Sequence, residues 1–489
     1  MQPYKQSNRF WLILHLTLVF LFCTKTREAD HGKTAAKVGS KLITTKDMMY
    51  RAELTPLPPR INTPEAVLNN LIAEKLLVFE AGDTSSLSVN PNFQAHIRGI
   101  KEQAMRDALY NAVIEENVQL NEQEVRTAAH TSVREYTVSF YNVYDRETTE
   151  AIFEEVEENP DAICDIYEDI SGSHEVSHKT ITWDETGDPR LFRSLYVNRA
   201  EAGDVLAPIR ISPSQSLIMR VEDYKIKPVL GPEEQQIRRM DVRKEFHRLE
   251  SMVAWKAYTS TFTDGKEIRF ERDAFGRIID MLMPAHTSDA GLIKREQLDQ
   301  ATETVFNERA AELDAMLDNP FFTFDGRVWT VGDFKAEIAS HPLMYSKKEI
   351  TPEEFPNRFK EAVANLLLDH MLTEEAYDRS YDELPEVRRE AETWHDALLS
   401  KYQLKKVLRA RREAQPSDLP PGVHNMKILE TYMAELRDKY DNEIQVFPQQ
   451  LDSVKLTGIP FMGYRLRAPY PIAVPTFPLL TTADTLIFK

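Results

Sequence analysis

The sequence predicts a mainly helical α+β protein, with two related helical modules on either side of a compact domain of mixed helices and strands. Three observations favour this class. The chain has 489 residues, which is too long for one hydrophobic core and fits several domains of roughly 100–150 residues each. A helix-forming pattern occurs twice, far apart along the chain. Between the two copies, short β-type and helical segments alternate.

Composition excludes several classes of protein. Hydrophobic residues make up 42% of the chain and charged residues 28%, which is typical of a folded protein. The formal net charge of -18 argues against nucleic-acid binding, because phosphate binding requires clusters of lysine and arginine. With Cys23 and Cys164 as its only cysteines, the sequence has no disulfide framework. Cys164 lies in an apolar helical pattern, and we expect a small buried side chain there.

The N-terminal segment has the pattern of an export signal. Lys5 and Arg9 precede an apolar run over residues 10–23, which is shorter than the roughly 20 residues that a membrane-spanning helix needs. Cys23 ends this run and resembles the acceptor cysteine of a bacterial lipoprotein, although Phe22 stands where a small residue is usual. Lipidation at Cys23, ordinary cleavage and an uncleaved anchor are the alternatives. Each predicts an exported protein, either periplasmic or associated with the membrane through its N-terminus.

Two stretches of the chain share the pattern of a helix start. Gly39–Met48 and Asp325–Phe334 each contain a short extended piece and then a Thr followed three residues later by an Asp. This spacing predicts a capping box, in which both side chains accept hydrogen bonds from backbone N–H groups at the start of a helix. The two predicted boxes are Thr44 with Asp47 and Thr330 with Asp333.

The likeness continues downstream in both copies. Ala66–Ala81 and Glu361–Ala376 each have the pattern of an amphipathic helix that opens into a polar loop. Pro91 and Pro385 then begin another long helix, a position that suits proline because its missing N–H would be unpaired there anyway. Three matches in the same order predict an internal duplication.

The region between the copies predicts a β-α-α-β-α-β domain. Its segments are, in order, a strand at 135–144, helices at 148–156 and 161–169, a strand at 179–183, a helix at 189–196 and a strand at 216–222. This alternation is typical of a compact α+β domain.

The remaining segments are helical except for the C-terminal end. Gly231 and Pro232 open a long helix, and a further helical stretch is predicted over Lys294–Leu317. In the long helix, one stripe is predicted to contain Ile237, Met240, Phe246, Leu249 and Val253. From Gly458 to Phe477 the chain is rich in proline, which excludes a helix or a central strand and favours an extended or edge-packed tail.

The sequence carries no signature of nucleotide or hydrolase chemistry. We find no glycine-rich phosphate loop, no His-Glu-x-x-His zinc motif and no Gly-x-Ser-x-Gly nucleophile elbow. His174 and His178 have a spacing that a metal could use, but the serines and the glycine beside them predict two solvated loop histidines. We therefore expect no cofactor, no metal and no nucleotide.

Glu201–Tyr224 resembles the closing segment of parvulin-type peptidyl-prolyl isomerases. A Gly-acid-hydrophobe turn, a Pro-hydrophobe strand and a final strand follow one another in that family, and they correspond here to residues 203–205, 208–209 and 218–223. With the duplicated helical segments, the chain resembles the SurA, PrsA and PpiD families over roughly residues 35–440. The resemblance implies helical chaperone modules around a parvulin-like domain, with unfolded or nascent exported polypeptides as partners.

On this resemblance the chain divides into six parts. They are an export segment at 1–33, a first helical chaperone module at 34–130, a parvulin-like domain at 131–228, connecting long helices that complete the first module at 229–320, a second helical chaperone module at 321–440 and a proline-rich tail at 441–489.

The chain departs from the parvulin pattern at its catalytic positions. Active parvulins have a histidine on the first strand and another on the last, whereas here Leu217 occupies the last-strand position and residues 134–144 contain no histidine. Leucine can neither donate nor accept a hydrogen bond, so no catalytic residue is assigned. The family's apolar pocket corresponds to four residues that are candidates for client binding, the alternative being ordinary core: Trp183, Phe192, Leu195 and Tyr196.

Three functions are consistent with these residues. The first is an extracytoplasmic chaperone and foldase that binds unfolded exported or outer-membrane proteins without needing chemistry. The second is a working peptidyl-prolyl isomerase, against which Leu217 and the first strand speak. The third is a dedicated envelope assembly lipoprotein that uses its proline-rich tail as a docking strand.

Overall fold

The computed structural model describes residues 32–58, 61–83, 85–212, 215–228, 231–283, 293–294, 309–345, 349–415, 418–459, 461–463, 465 and 468–488. Over these residues the chain is mainly helical with antiparallel sheets, which confirms the α+β class. The export segment and its lipidation candidate Cys23 lie outside the described residues.

The elements are numbered in chain order. The helices are α1 Thr45–Glu53, α2 Pro64–Ala81, α3 Pro91–Tyr110, α4 Glu122–Thr131, α5 Arg146–Glu158, α6 Ile163–Ser171, α7 Pro189–Phe192, α8 Pro232–Thr263, α9 Arg272–Leu282, α10 Ala310–Asp314, α11 Val331–Ser340, α12 Phe355–Asp378, α13 Pro385–Ala414 and α14 Pro421–Lys439. The strands are β1 Thr34–Val38, β2 Lys41–Thr44, β3 Arg134–Val143, β4 Val176–Ile181, β5 Val205–Ser212, β6 Gln215–Ile226, β7 Ile268–Phe270, β8 Ile293–Lys294, β9 Pro320–Phe324, β10 Arg327–Thr330, β11 Glu349–Ile350 and β12 Ile444–Val446.

The chain forms two compact units. Unit 1 contains the described residues up to Gly82, residues 396–463 and the residues from Val474 onward. Unit 2 contains residues 83–395 and 464–473.

Unit 1 is built on a short antiparallel sheet with strand order β12-β1-β2. The predicted capping box starts α1 directly after β2. The Thr44 hydroxyl accepts from the Asp47 N–H at 3.1 Å, and the Asp47 carboxylate accepts from the Thr44 N–H at 2.9 Å. The core below the sheet comes mainly from α2, in which Leu68, Ile72 and Leu76 are fully buried.

Unit 2 contains a second sheet of the same kind, with strand order β10-β9-β7. Its second hairpin strand also runs into a capping box. The Thr330 hydroxyl accepts from the Asp333 N–H at 3.0 Å, and the Asp333 carboxylate accepts from the Thr330 N–H at 2.9 Å. Both predicted capping boxes are therefore confirmed. A buried aromatic cluster fills this part of the core and includes Phe321, Phe322, Phe334 and Phe359.

Unit 2 also contains the domain of mixed helices and strands that the sequence predicts. Its described strands form an antiparallel sheet in the order β4-β3-β6-β5. The predicted order of strands and helices is present, with the additional strand β5 where the resemblance implied a Pro-hydrophobe strand. Helices α5 and α6 cover one face of the sheet, and α4, α7 and α8 supply core residues on the other.

The predicted stripe on α8 is wrong. Phe246 and Leu249 are buried, whereas Ile237, Met240 and Val253 are 53%, 61% and 49% exposed. A helix turns about 100° per residue, so Ile237 and Phe246 point in opposite directions. The buried stripe instead begins at Val242, four residues before Phe246.

Two smaller expectations also need correction. The prediction of a buried Cys164 is wrong, because its side chain is exposed while Ile163 and Tyr167 form the buried face of α6. Lys294 ends the short strand β8 rather than starting a helix, and α10 is the described helical part of the stretch predicted there.

The described residues between Gly458 and Phe477 form no helix and no strand, which fits the exclusion predicted from their prolines, and the chain from Val474 onward belongs to unit 1. Residues 475–483 have no regular secondary structure. Side chains from the stretch after Val474 nevertheless reach the core of the unit, where Phe477, Leu480 and Phe488 are buried.

Candidate functional site

The four-stranded sheet of the mixed domain presents two different faces because side chains alternate along each strand. On β3, Tyr136, Val138 and Phe140 contact the core that α7 and α8 complete. Tyr141 and Val143 lie on the opposite face, in the core that α5 and α6 complete. The first of these faces carries Leu217 and the four apolar client-binding candidates.

Leu217 lies on this first face, near the start of β6. It pairs with Asn142 of β3 and with Ile209 of β5, and its side chain is half-buried. The polar contact at this place is between neutral amides, since Gln215 Nε2 donates to Asn142 Oδ1 at 3.2 Å. Amides do not titrate near neutral pH, so they cannot act as general acids or bases in the way a histidine does.

The sheet contains one of the two histidines that the sequence singled out, His178, and it lies on the other face. His178 is part of β4, where it pairs with Ser139, and its side chain is exposed. It is therefore a strand residue rather than the loop residue that the sequence predicted. His174 is exposed in the preceding turn, with Nδ1 at 2.9 Å from the Glu168 carboxylate. Neither histidine reaches the face that carries Leu217.

Three of the four client-binding candidates are core residues. Phe192, Leu195 and Tyr196 are 1%, 0% and 0% exposed. Tyr196 donates a hydrogen bond from its hydroxyl to the Ile181 carbonyl at 3.2 Å, and burial raises the pKa of Tyr196 far above its usual value. The Phe192 ring lies 5.5 Å from the ring of Phe246. These side chains hold α7 and α8 on the sheet and are not open to a client in this structure.

Trp183 is the candidate that remains accessible. It is half-buried in the short 3-10 turn Trp183–Glu185, and the Arg238 guanidinium lies 5.4 Å from the centre of its ring. A cation over an indole face is a favourable contact of about 0.5–2 kcal/mol. It holds the indole at the wall of a cavity.

This cavity has a volume of about 600 Å³. It opens between the start of β3, the 3-10 turn, the end of β6 and the first turns of α8. Its apolar wall consists of Trp183, Ile237, Val133 and Pro228. Its volume falls in the range of sites that accept a peptide side chain or a small ligand. The sequence pattern missed Ile237 as a surface residue because the residue was assigned to the buried stripe of α8.

The rim of the cavity is charged and more acidic than basic. The acidic residues are Glu135, Asp184, Glu185, Glu234 and Asp241, and the basic residues are Arg134, Lys227 and Arg238. Lys227 forms an ion pair with Glu135, and Arg134 pairs with Glu201 at 3.0 Å. The cavity therefore combines apolar wall residues with charged residues, several of which are held in ion pairs.

The described residues lack two other kinds of feature. They contain no group of three or more His, Cys, Asp or Glu side chains placed to hold a metal ion. Within the same ranges, none of the helices combines the length and the apolar character that crossing a membrane requires.

A scan against protein-family models finds no match, and a search of curated proteins finds no similar sequence.

Proposed function

We propose that the protein is an extracytoplasmic chaperone of the SurA type, which binds unfolded exported or outer-membrane polypeptides through apolar surface and without chemistry. The observation that carries this proposal is the open cavity in which Trp183 and Ile237 offer apolar surface inside a charged rim. Unfolded chains expose apolar side chains, and shallow apolar sites of this kind bind many sequences weakly and reversibly.

The neighbouring sheet supports binding rather than catalysis. At the position of the family's last-strand histidine stands Leu217, and the amides of Asn142 and Gln215 beside it are neutral. In this proposal the domain keeps a parvulin-like order of strands and helices while its role is to hold a client. An efficient isomerase would need a different set of groups on this face.

The two short sheets support an internal duplication. In each, the first hairpin strand pairs with a third strand, β12 in unit 1 and β7 in unit 2. In both cases the third strand follows a long helix, α14 or α8, and the second hairpin strand ends in a capping box. Repeated modules of this kind give a chaperone several similar surfaces for one unfolded client.

The proposal is tested by the aggregation of a chemically denatured exported protein, followed by light scattering after dilution. We expect the full chain to suppress aggregation at near-stoichiometric amounts. Ile237→Ser should weaken suppression about fivefold, because roughly 1 kcal/mol of apolar contact is lost. Val253→Ser is the matched control, since Val253 is 49% exposed on the same helix and does not line the cavity.

Two results would overturn the proposal. One is the absence of suppression by the unmodified chain at a several-fold excess over the client. The other is co-purification of a single stoichiometric partner with no affinity for denatured clients, which would favour the dedicated assembly protein instead.

A further inference from the structure

The described residues from Pro475 to Phe488 lie along α2 without joining a sheet or a helix. Residues 475–483 have no regular secondary structure, and the segment from Val474 onward belongs to the same compact unit as α2. Backbone N–H and C=O groups that lie against a core need hydrogen-bond partners. Here the partners are side chains of α2 rather than a neighbouring strand.

The Asn70 carboxamide forms hydrogen bonds with the backbone of two consecutive residues of this segment. Its Oδ1 accepts from the N–H groups of Leu480 at 2.7 Å and Thr481 at 3.0 Å. Its Nδ2 donates to the Thr481 carbonyl at 3.1 Å and to the Ala66 carbonyl one turn earlier at 2.9 Å. Both ends of this amide are therefore used.

The adjacent Asn69 forms hydrogen bonds with the backbone of the residues that follow Thr481. Its Nδ2 donates to the carbonyls of Ala483 at 3.3 Å and Thr485 at 2.6 Å, and its Oδ1 accepts from the Ile487 N–H at 3.2 Å. Nearer the start of the segment, an Arg51 guanidinium N–H donates to the Thr476 carbonyl at 3.4 Å. All of these contacts are to main-chain atoms.

Both asparagines are 0% exposed. Asparagine is a weak helix former, and burying an amide without partners costs about 1–3 kcal/mol. Two such residues side by side in the buried face of α2 are stable because a polypeptide backbone lies against them. The helix therefore has the chemistry of a backbone-binding surface.

The side chains of the segment contribute only apolar anchors to this contact. Phe477, Leu480 and Phe488 are buried, whereas Leu479 and Asp484 are exposed. Main-chain amides and spaced apolar side chains are present in most unfolded polypeptides. Nothing in this set of contacts requires the particular sequence of the C-terminal segment.

We propose that α2 forms part of a binding groove for extended apolar segments of other polypeptides. The groove consists of Asn69, Asn70 and the apolar pockets that the side chains of Phe477, Leu480 and Phe488 now fill. The chain's own C-terminal segment occupies this groove and is displaced when a client binds. The proposal deepens the chaperone function proposed above, on which it rests for the identity of the client. An occupant needs free N–H groups opposite the two asparagines and an apolar residue at each anchor.

The test is amide hydrogen exchange of residues 479–488 in the full chain, measured with added peptides. The first peptide has the sequence of residues 477–488. The second has the same apolar anchors and unrelated residues between them. The third is the first peptide N-methylated at the positions of Leu480 and Thr481. Peptides are added up to about 1 mM, because a tethered segment competes at an effective concentration of that order.

We expect the first two peptides to accelerate exchange of the chain's own segment, and the N-methylated peptide to have no effect. If no peptide accelerates exchange, or only the peptide with the chain's own sequence does so, the groove is a fixed structural contact and the proposal is overturned. Acceleration by the N-methylated peptide would show that the asparagines do not read the backbone, which also contradicts it.

A pair of variants adds a second readout. Asn70→Ala should raise exchange of the segment and abolish the response to peptides, whereas Asn442→Ala, which removes an exposed amide in the same unit, should change neither. If the chain suppresses aggregation but no peptide changes the exchange of its segment, the groove proposal is wrong and the chaperone proposal is retained. If peptides change the exchange but the chain suppresses no aggregation, the chaperone proposal is wrong and the groove proposal is retained.

Discussion

Leu217 and Asn142 are paired across the antiparallel ladder between β3 and β6. A leucine and a neutral amide therefore lie side by side on the face on which the parvulin resemblance implies a histidine network. Rotation about an X–Pro bond transfers no proton, so the missing histidines matter through the hydrogen bonds that they would form, and leucine can form none. The pair is the clearest physical support for the proposed binding role of this domain.

The first prediction concerns isomerase activity. In a protease-coupled assay of an X–Pro peptide, we expect the full chain to be at least about tenfold slower than a parvulin that keeps both histidines, because hydrogen bonds worth about 1.4 kcal/mol are missing. Leu217→His alone should not raise the rate more than a few-fold, because Asn142 still faces it. Leu217→Met is the control for repacking. A rate comparable to that of an intact parvulin would identify the protein as a working isomerase.

The second prediction concerns a buried charge cluster that joins α3, α11 and α12. His341 Nδ1 lies 2.7 Å from the Glu337 carboxylate, and its Nε2 lies 3.0 Å from Glu102. His370 Nδ1 lies 3.1 Å from the same Glu337 oxygen. Arg106 is the remaining charged group facing His341, with its Nη1 at 3.2 Å from the ring.

These contacts shift the titration of both residue types. Desolvation opposes the charge on Glu337, but hydrogen bonds from His341 and His370 outweigh it and lower the pKa of Glu337 to about 2. Desolvation is the largest single effect on His341 and lowers its pKa, but the hydrogen bonds to Glu102 and Glu337 together outweigh it, so the pKa of His341 is raised. The pKa of His370 is raised mainly by its hydrogen bond to Glu337. The histidines therefore stabilise the fold most fully below about pH 6.5, and lose this contribution as the pH rises through their raised pKa values.

Glu337→Gln should therefore destabilise α11 by about 3 kcal/mol near pH 5.5, because it leaves the buried imidazolium groups without their shared carboxylate. The loss should shrink by pH 8.5, where the imidazoles are less charged. Amide exchange of α11 measures both values. Glu374→Gln is the control, since this carboxylate lies 3.5 Å from His370 and is 67% exposed. An equal loss at both pH values would contradict the assignment.

The third prediction concerns the capping boxes. Thr330→Ala removes the hydroxyl that accepts from the Asp333 N–H at 3.0 Å, and it should cost about 1 kcal/mol. Thr330→Ser keeps a hydroxyl and should cost much less. Amide exchange in the first turn of α11 distinguishes the two. Equal protection in both variants would mean that the box does not stabilise the helix.

Local patterns were the part of this fold that sequence could predict. The Thr44 and Thr330 boxes depend on residues three positions apart, and the strands and helices of the mixed domain depend on short runs of residues. The exposed Ile237 was mispredicted because apolar residues at helical spacing do not reveal which face meets the core. Asn69 and Asn70 carried no signal at all, since their partners lie more than 400 residues away along the chain.

The proposed client site shows the same limit of prediction from sequence. Trp183 was selected together with Phe192, Leu195 and Tyr196, yet only the indole lies at an open cavity. Which apolar side chain remains accessible depends on how α8 packs, and that packing is set by tertiary contacts such as the one between Phe192 and Phe246. Residue type alone could not separate the accessible tryptophan from the core residues.

The most direct test of the central claim is photo-crosslinking from the cavity wall. A photoreactive amino acid replaces Ile237 in the full chain, and a second preparation carries it at Val253, which is similarly exposed on α8 but does not line the cavity. Each is irradiated with a denatured exported protein and with the same protein in its native state. We predict crosslinks from position 237 to the denatured client, few from position 253, and none to the native protein. Equal crosslinking from both positions, or none from 237 while aggregation is being suppressed, would contradict the account.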